Sequence, residues 1–141
     1  MRDFIIFTVD TRLYALPVDQ VERINTLCEL TLLSNAPSYV EGLISYQNHA
    51  IKVINLHNLI GTHNLCDPSD IKIATKKMII YKGNEDLFAL QVDTIEDIVQ
   101  VENQAIKHYS NDVKVSPFMD TEGILEYKKR LVIVVKSIRI N

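Results

Sequence analysis

A chain of 141 residues, 47% of them apolar, can bury one substantial core and is short for two independent domains. Its 23% of charged residues excludes overall disorder, and four glycines with four prolines exclude a collagen-like or low-complexity chain. The net charge of −3 divides as −2 over residues 1–65 and −1 over residues 66–141, so neither half has the basic excess that nucleic-acid phosphates require.

Eighteen Ile and thirteen Val stand against six Ala. β-Branched side chains suit a pleated sheet and Ala suits helix, so the composition points to a mainly β protein. The chain opens with an early Asp3 and the apolar stretch Phe4-Ile5-Ile6-Phe7. A secretory signal needs about 7–15 apolar residues and a membrane helix about 20, so no targeting segment or membrane insertion is expected. The expected location is cytoplasmic.

The first strand is expected over residues 4–9, ended by the polar turn Asp10-Thr11-Arg12. The second alternates Tyr14, Leu16 and Val18 on one face, which is hairpin logic. Val18-Asp19 reads as a bend, because Asp can bond nearby backbone. A third strand should run over residues 21–27. After a turn at residues 37–41, strands are expected at 43–46 and 51–56. A short helix at 55–60 would be capped by Gly61.

The pattern then returns. Tyr14-Ala15-Leu16-Pro17-Val18-Asp19-Gln20-Val21-Glu22-Arg23-Ile24 matches Phe88-Ala89-Leu90-Gln91-Val92-Asp93-Thr94-Ile95-Glu96-Asp97-Ile98 at six of eleven positions, an offset of 74. Upstream at the same offset, Ile5-Ile6-Phe7 faces Ile79-Ile80-Tyr81. Downstream, Glu41-Gly42-Leu43-Ile44-Ser45-Tyr46 faces Glu122-Gly123-Ile124-Leu125-Glu126-Tyr127 at an offset of 81, so the second copy carries seven more residues. Residues 109–115 are expected to hold them as a longer loop. In the second copy Gly83-Asn84-Glu85-Asp86 is the hairpin turn, Val92-Asp93 the bend, and further strands lie at 95–101, 124–127 and 131–135. Two ordered matches mark an internal duplication. Each copy has about five strands, a number that closes into a small barrel. The expectation is a single domain over 1–141, with lobe-forming repeats at about 1–65 and 75–141. Lobes of that size are marginal alone and should share an apolar interface.

Catalytic signatures are absent: there is no G-x-S-x-G, Gly-rich phosphate loop, H-E-x-x-H or C-x-x-C. His57, His63, Cys66 and Asp67 match no recurrent zinc spacing and read as loop residues. His49 and His108 read as solvated turns. Cys28 and Cys66 lack a paired motif and are expected to be reduced. Asp19 with Asp93, and Glu22 with Glu96, hold equivalent repeat positions and should lie in separate lobes, as turn and surface residues. Lys76-Lys77 and Lys128-Lys129-Arg130 read as solvated turns. Tyr14, Tyr39, Tyr46 and Tyr127 are amphipathic aromatics, with Tyr46 and Tyr127 expected at the rim of the core.

The segments Tyr14-Ala15-Leu16-Pro17-Val18, Val21-Glu22-Arg23-Ile24, Asn35-Ala36-Pro37-Ser38-Tyr39-Val40-Glu41-Gly42 and Lys52-Val53-Ile54-Asn55-Leu56, with Leu90-Gln91-Val92-Asp93 later, resemble the CheW-like domains of bacterial chemosensory systems. The resemblance covers nearly the whole chain. It implies two packed five-stranded SH3-like β-barrel lobes sharing one apolar core, with few short helices. It implies a non-catalytic adaptor without cofactor or metal. Such an adaptor couples the chemoreceptor cytoplasmic tip to the regulatory domain of a CheA-type histidine kinase, at receptor arrays on the inner membrane face. The family's partner-contact positions fall on Val21, Arg23, Gly42 and Gln47. Gln47-Asn48 stands where the family usually carries Arg-Gly, and Asn55 replaces an acid. Asn48 tolerates positive φ, but Gln47 lacks the charged, five-donor guanidinium. The alternative reading is a CheW-like interaction module serving another process, such as pilus motility or polar localisation. A small enzyme or ligand-binding barrel has no supporting motif.

Overall fold

The computed structural model describes residues 1–26, 30–60, 77–83, 87–108 and 118–139. The expected Gly61 cap, Cys28, Cys66, His63, Asp67, residues 84–86 of the second hairpin turn and the 109–115 loop lie outside these residues. Eleven strands are described: β1 Arg2–Val9, β2 Arg12–Pro17, β3 Val21–Thr26, β4 Val40–Tyr46, β5 His49–Asn55, β6 Lys77–Lys82, β7 Leu87–Val92, β8 Thr94–Val101, β9 Lys107–His108, β10 Met119–Tyr127 and β11 Arg130–Ile138. One short helix, α1 (Leu56–Ile60), follows β5.

The strands form two sheets, ordered β8-β1-β2-β11-β10-β9 and β3-β6-β7-β5-β4. The first is called lobe A and the second lobe B. The halves of the chain do not each build one sheet, so the expected division into lobes at about 1–65 and 75–141 is corrected. Lobe A joins the first-half hairpin β1–β2 to the second-half strands β8, β10 and β11, and lobe B does the reverse. Each copy lends its first hairpin to the other.

The bends explain this exchange. After β2, Val18–Gln20 makes one 3-10 turn, and β3 then pairs with β6 rather than β1. At the equivalent place β7 ends at Val92, Asp93 bends, and β8 pairs with β1. The Asp93 carboxylate accepts the Asp10 N–H at 2.8 Å, and the Asp93 N–H donates to the Thr8 carbonyl at 2.9 Å. The second Val-Asp bend is thus pinned to the β1–β2 turn of the other half. A bend this short redirects the strand before it can fold back on its own hairpin.

Register confirms the duplication. Val134 pairs with Ala15 in the parallel β11–β2 contact, and Val53 pairs with Ala89 in the parallel β5–β7 contact. These are the same repeat positions with halves exchanged. Four β-bulges also correspond. The register skips Glu22 in β3, Glu96 in β8, Glu41 in β4 and Glu122 in β10. A bulge twists its strand, and twist is what lets a small sheet close.

Apolar side chains sort into three clusters. Phe4, Ile6, Val132 and Val134 fill lobe A, while Ile44, Val53, Ile80 and Ala89 fill lobe B. Between them lies a larger cluster with Ile5, Phe7, Tyr14 and Val135 from lobe A and Ile54, Ile79, Tyr81 and Leu90 from lobe B. Successive residues of a strand point to opposite faces, so β1 sends Phe4 and Ile6 into its own barrel and Ile5 and Phe7 into the shared core. Both faces are covered, which is why β1 reads as an unbroken apolar run. Tyr14 is wholly buried rather than half exposed.

Hydrogen bonds also cross the lobes. The Tyr81 hydroxyl accepts the Ile138 N–H at 3.0 Å and donates to Gln20 Oε1 at 2.7 Å. Gln20 Nε2 donates to the Lys136 carbonyl at 2.7 Å. Tyr81→Phe would leave the buried Ile138 N–H unpaired. It is expected to lower the unfolding free energy by about 1–3 kcal/mol, read from urea denaturation. Burial pushes the Tyr81 phenol above its ordinary pKa. The folded chain therefore keeps its proton longer than the unfolded chain does, and stability falls as pH rises past the normal tyrosine range. The variant should lose that part of the alkaline dependence.

Candidate functional site

The four expected contact positions all lie in lobe B, three of them on its two edge strands β3 and β4 and Gln47 in the turn that follows β4. Val21 begins β3 opposite Tyr81, and its side chain is half-buried against the shared core. Arg23 follows the Glu22 bulge and is exposed. Gln47 is exposed in the β4–β5 turn. Gln47 and Asn48 have φ of 50° and 67°, as a two-residue hairpin turn with both centres left-handed requires. Asn48 therefore does what a turn glycine would do.

Tyr46 links the two edges. It is 7% exposed, and the Glu22 carboxylate lies close enough to its hydroxyl to act on its proton. Burial and that carboxylate raise the phenol pKa, while the nearby Arg23 charge opposes the rise. Arg23 and Gln47, which follows Tyr46 directly, are thus brought to one end of the barrel. Lobe A closes in the same way, with the Tyr127 hydroxyl donating to Asp97 Oδ2 at 2.8 Å. That bond, aided by the Ile98 N–H, holds the Asp97 carboxyl below the usual range. Tyr46 and Tyr127 thus hold the rim positions that the repeat assigns them, each at the mouth of its barrel.

Gly42 stands apart from that cluster. It is buried, and a Cβ built on it would lie 2.5 Å from the Thr31 carbonyl oxygen. Its missing side chain makes room for residues 30–33, where Thr31 pairs with Leu43. A partner approaching there meets Leu32 and Leu33, 78% and 42% exposed, rather than Gly42. Gly123 holds the same place in lobe A, with the Lys107 carbonyl oxygen 2.1 Å from an added Cβ. Sequence reading missed the leucines because residues 30–32 correspond in the fold to residues 106–108 at an offset of 76, which neither repeat match uses.

The remaining polar groups near the site are structural. Asn55 is buried, donates to Glu41 and accepts the Asn58 N–H at 3.4 Å, so it caps α1. An amide oxygen at this place satisfies a helix N–H that would otherwise lack a partner. Arg2 pairs with Glu122 across lobe A. Glu22 and Glu96 are exposed and lie in different lobes. Among the described residues no group of His, Cys, Asp and Glu could hold a metal ion. Nor is any helix among them long and apolar enough to cross a membrane.

The family profile of the CheW-like domain matches residues 3–140. Among solved structures, the scaffolding protein TtCheW from Thermoanaerobacter tengcongensis is similar, with a TM-score of 0.82 and 19% identity. The match covers 96% of this chain and 89% of that one. No curated protein matches the chain. The fold is that of two SH3-like lobes, and the exchanged hairpins place the shared core between them.

Proposed function

The chain belongs to the CheW-like domain family, whose members are non-catalytic scaffolds, and from that premise we propose that it couples chemoreceptors to a CheA-type histidine kinase. The observation that carries the reading is the extent of the match, since the family profile matches residues 3–140 of 141. Nearly all of the chain is matched by a scaffold family, and a scaffold acts by holding partners together. The proposed place of action is the cytoplasmic face of a receptor array.

The kinase's regulatory domain is the first partner. Purified chain and cognate regulatory domain should co-elute in size-exclusion chromatography at tens of micromolar, a range in which weak signalling interfaces already populate a complex. Separate elution would overturn the coupling reading in favour of a module serving pilus motility or polar localisation. Receptors and a CheA-type kinase encoded beside this chain would count for coupling.

The receptor tip is the second partner, and Gln47 bears on it. The turn holds Gln47 in solvent at φ 50°, so Arg can replace it without new backbone strain. Gln47→Arg restores a forked cation in the turn after Tyr46, whose phenol feels the Arg23 charge. It is expected to strengthen receptor-tip association by roughly 1–2 kcal/mol, or about tenfold, in a pull-down against the cytoplasmic tip. No gain would show that the tip does not meet this turn.

A further inference from the structure

The duplication supplies an internal control for the edge of each lobe. Thr31 gives both its N–H and its carbonyl to Leu43, at 2.9 and 2.8 Å. In an antiparallel ladder the next residue then turns its own N–H and carbonyl the other way. Those of Leu32 face away from β4, and no described residue bonds to them. The side chain of Leu32 is 78% exposed beside them.

The matching place in lobe A is built identically in backbone and oppositely in chemistry. There Lys107 and His108 pair with Ile124 and Gly123, as Thr31 and Leu32 lie against Leu43 and Gly42. Ile106 is buried in lobe A where Leu30 packs in lobe B, so the two segments enter their barrels alike. Lobe A thus presents a cation and an imidazole at its edge, a common protection against strand addition. Lobe B presents Leu-Thr-Leu-Leu without a charge. The barrel does not need apolar side chains here, since its own copy does without them.

We propose that the edge at Leu32 receives an extended, uncharged aliphatic segment of the kinase's regulatory domain as an added β-strand. This rests on the coupling reading above. Main-chain groups that no described residue engages specify a strand rather than a helix, because a helix has already spent its own N–H and carbonyl groups. The lack of charge specifies an aliphatic segment, since a charged side chain opposite Leu32 would lose hydration without gaining a partner. Gly42 acts indirectly, as the residue that lets this edge lie close to β4.

The test is hydrogen exchange and calorimetric titration of the full chain with the regulatory domain. The expected result is slowed exchange of the Leu32 amide in the complex. Leu32→Lys should weaken binding at least about tenfold, the factor that burial of one leucine supplies. Its far-UV spectrum should be unchanged, because the side chain is exposed. Binding with an unprotected Leu32 amide and unaltered affinity in Leu32→Lys overturns the inference and leaves coupling intact. Protection of Leu32 that grows with concentration of the chain alone assigns the edge to a second copy and overturns the kinase as occupant. No binding by the wild-type chain removes the coupling reading and this inference with it.

Discussion

Expressed as separate chains, residues 1–65 and residues 66–141 are each expected to be unfolded, and to fold when mixed one to one. Lobe A needs Phe4, Ile6, Leu13 and Ala15 from the first half and Leu125, Val132 and Val134 from the second. Lobe B needs Ile44, Ile51 and Val53 from the first half and Met78, Ile80 and Ala89 from the second. A half alone would expose both faces of a hairpin that is now covered on both. A chain of 65 or 76 residues has little core to spare, and losing half of each cluster removes more than the few kcal/mol such a domain holds. Circular dichroism should show disorder for each half and recovered β structure for the mixture. Cooperative unfolding by one half alone would show that a copy can close its own barrel.

The second large effect is expected at the paired glycines. An alanine at Gly123 would put its Cβ 2.1 Å from the Lys107 carbonyl oxygen, and one at Gly42 would stand 2.5 Å from the Thr31 oxygen. Both obstacles are main chain, so neither can swing aside. Either the bridging segment leaves the sheet, losing its hydrogen bonds, or the strand shifts and disturbs the core behind it. Gly123→Ala is expected to cost about 2–4 kcal/mol, with Gly42→Ala somewhat less, since its contact is less severe. For a chain of this size the first corresponds to a fall in Tm of roughly 10 °C. Scanning calorimetry on the two variants checks both the magnitude and the order. Equal, small shifts would mean that the segments over the glycines pack loosely. Gly42→Ala would also displace Leu32, so it should weaken kinase binding beyond its effect on stability.

Much of the architecture is legible in the residues. Period-two alternation marks β2 and β7, the Val-Asp pairs mark the bends, and the repeat places equivalent strands. The exchange of hairpins is not legible. Ile5, Phe7, Phe4 and Ile6 say that β1 is buried on both faces, but burial does not name the neighbour. Either set of later strands could have covered the hairpin, and the choice rests on how three residues at Val18–Gln20 aim the chain. The candidate site is partly legible for a similar reason. Gln47 and Arg23 are exposed polar residues, and their sequence says as much. Gly42 is a residue defined by what it lacks, and only the Thr31 carbonyl in the vacated space shows why it is there. Leu32 looks like core in a string of apolar letters. It stands out once the equivalent edge is seen to carry His108.

An adaptor for a CheA-type kinase must carry a surface that the kinase's regulatory domain occupies. Chemical-shift mapping of the isotope-labelled chain against the unlabelled cognate regulatory domain tests it most directly. Saturable shifts are expected on lobe B, at Arg23, Gln47 and residues 30–33, while the shared core around Phe7 and Leu90 stays unmoved. A spectrum that does not change at several times the concentration of a weak signalling complex, about 100 µM, would contradict it.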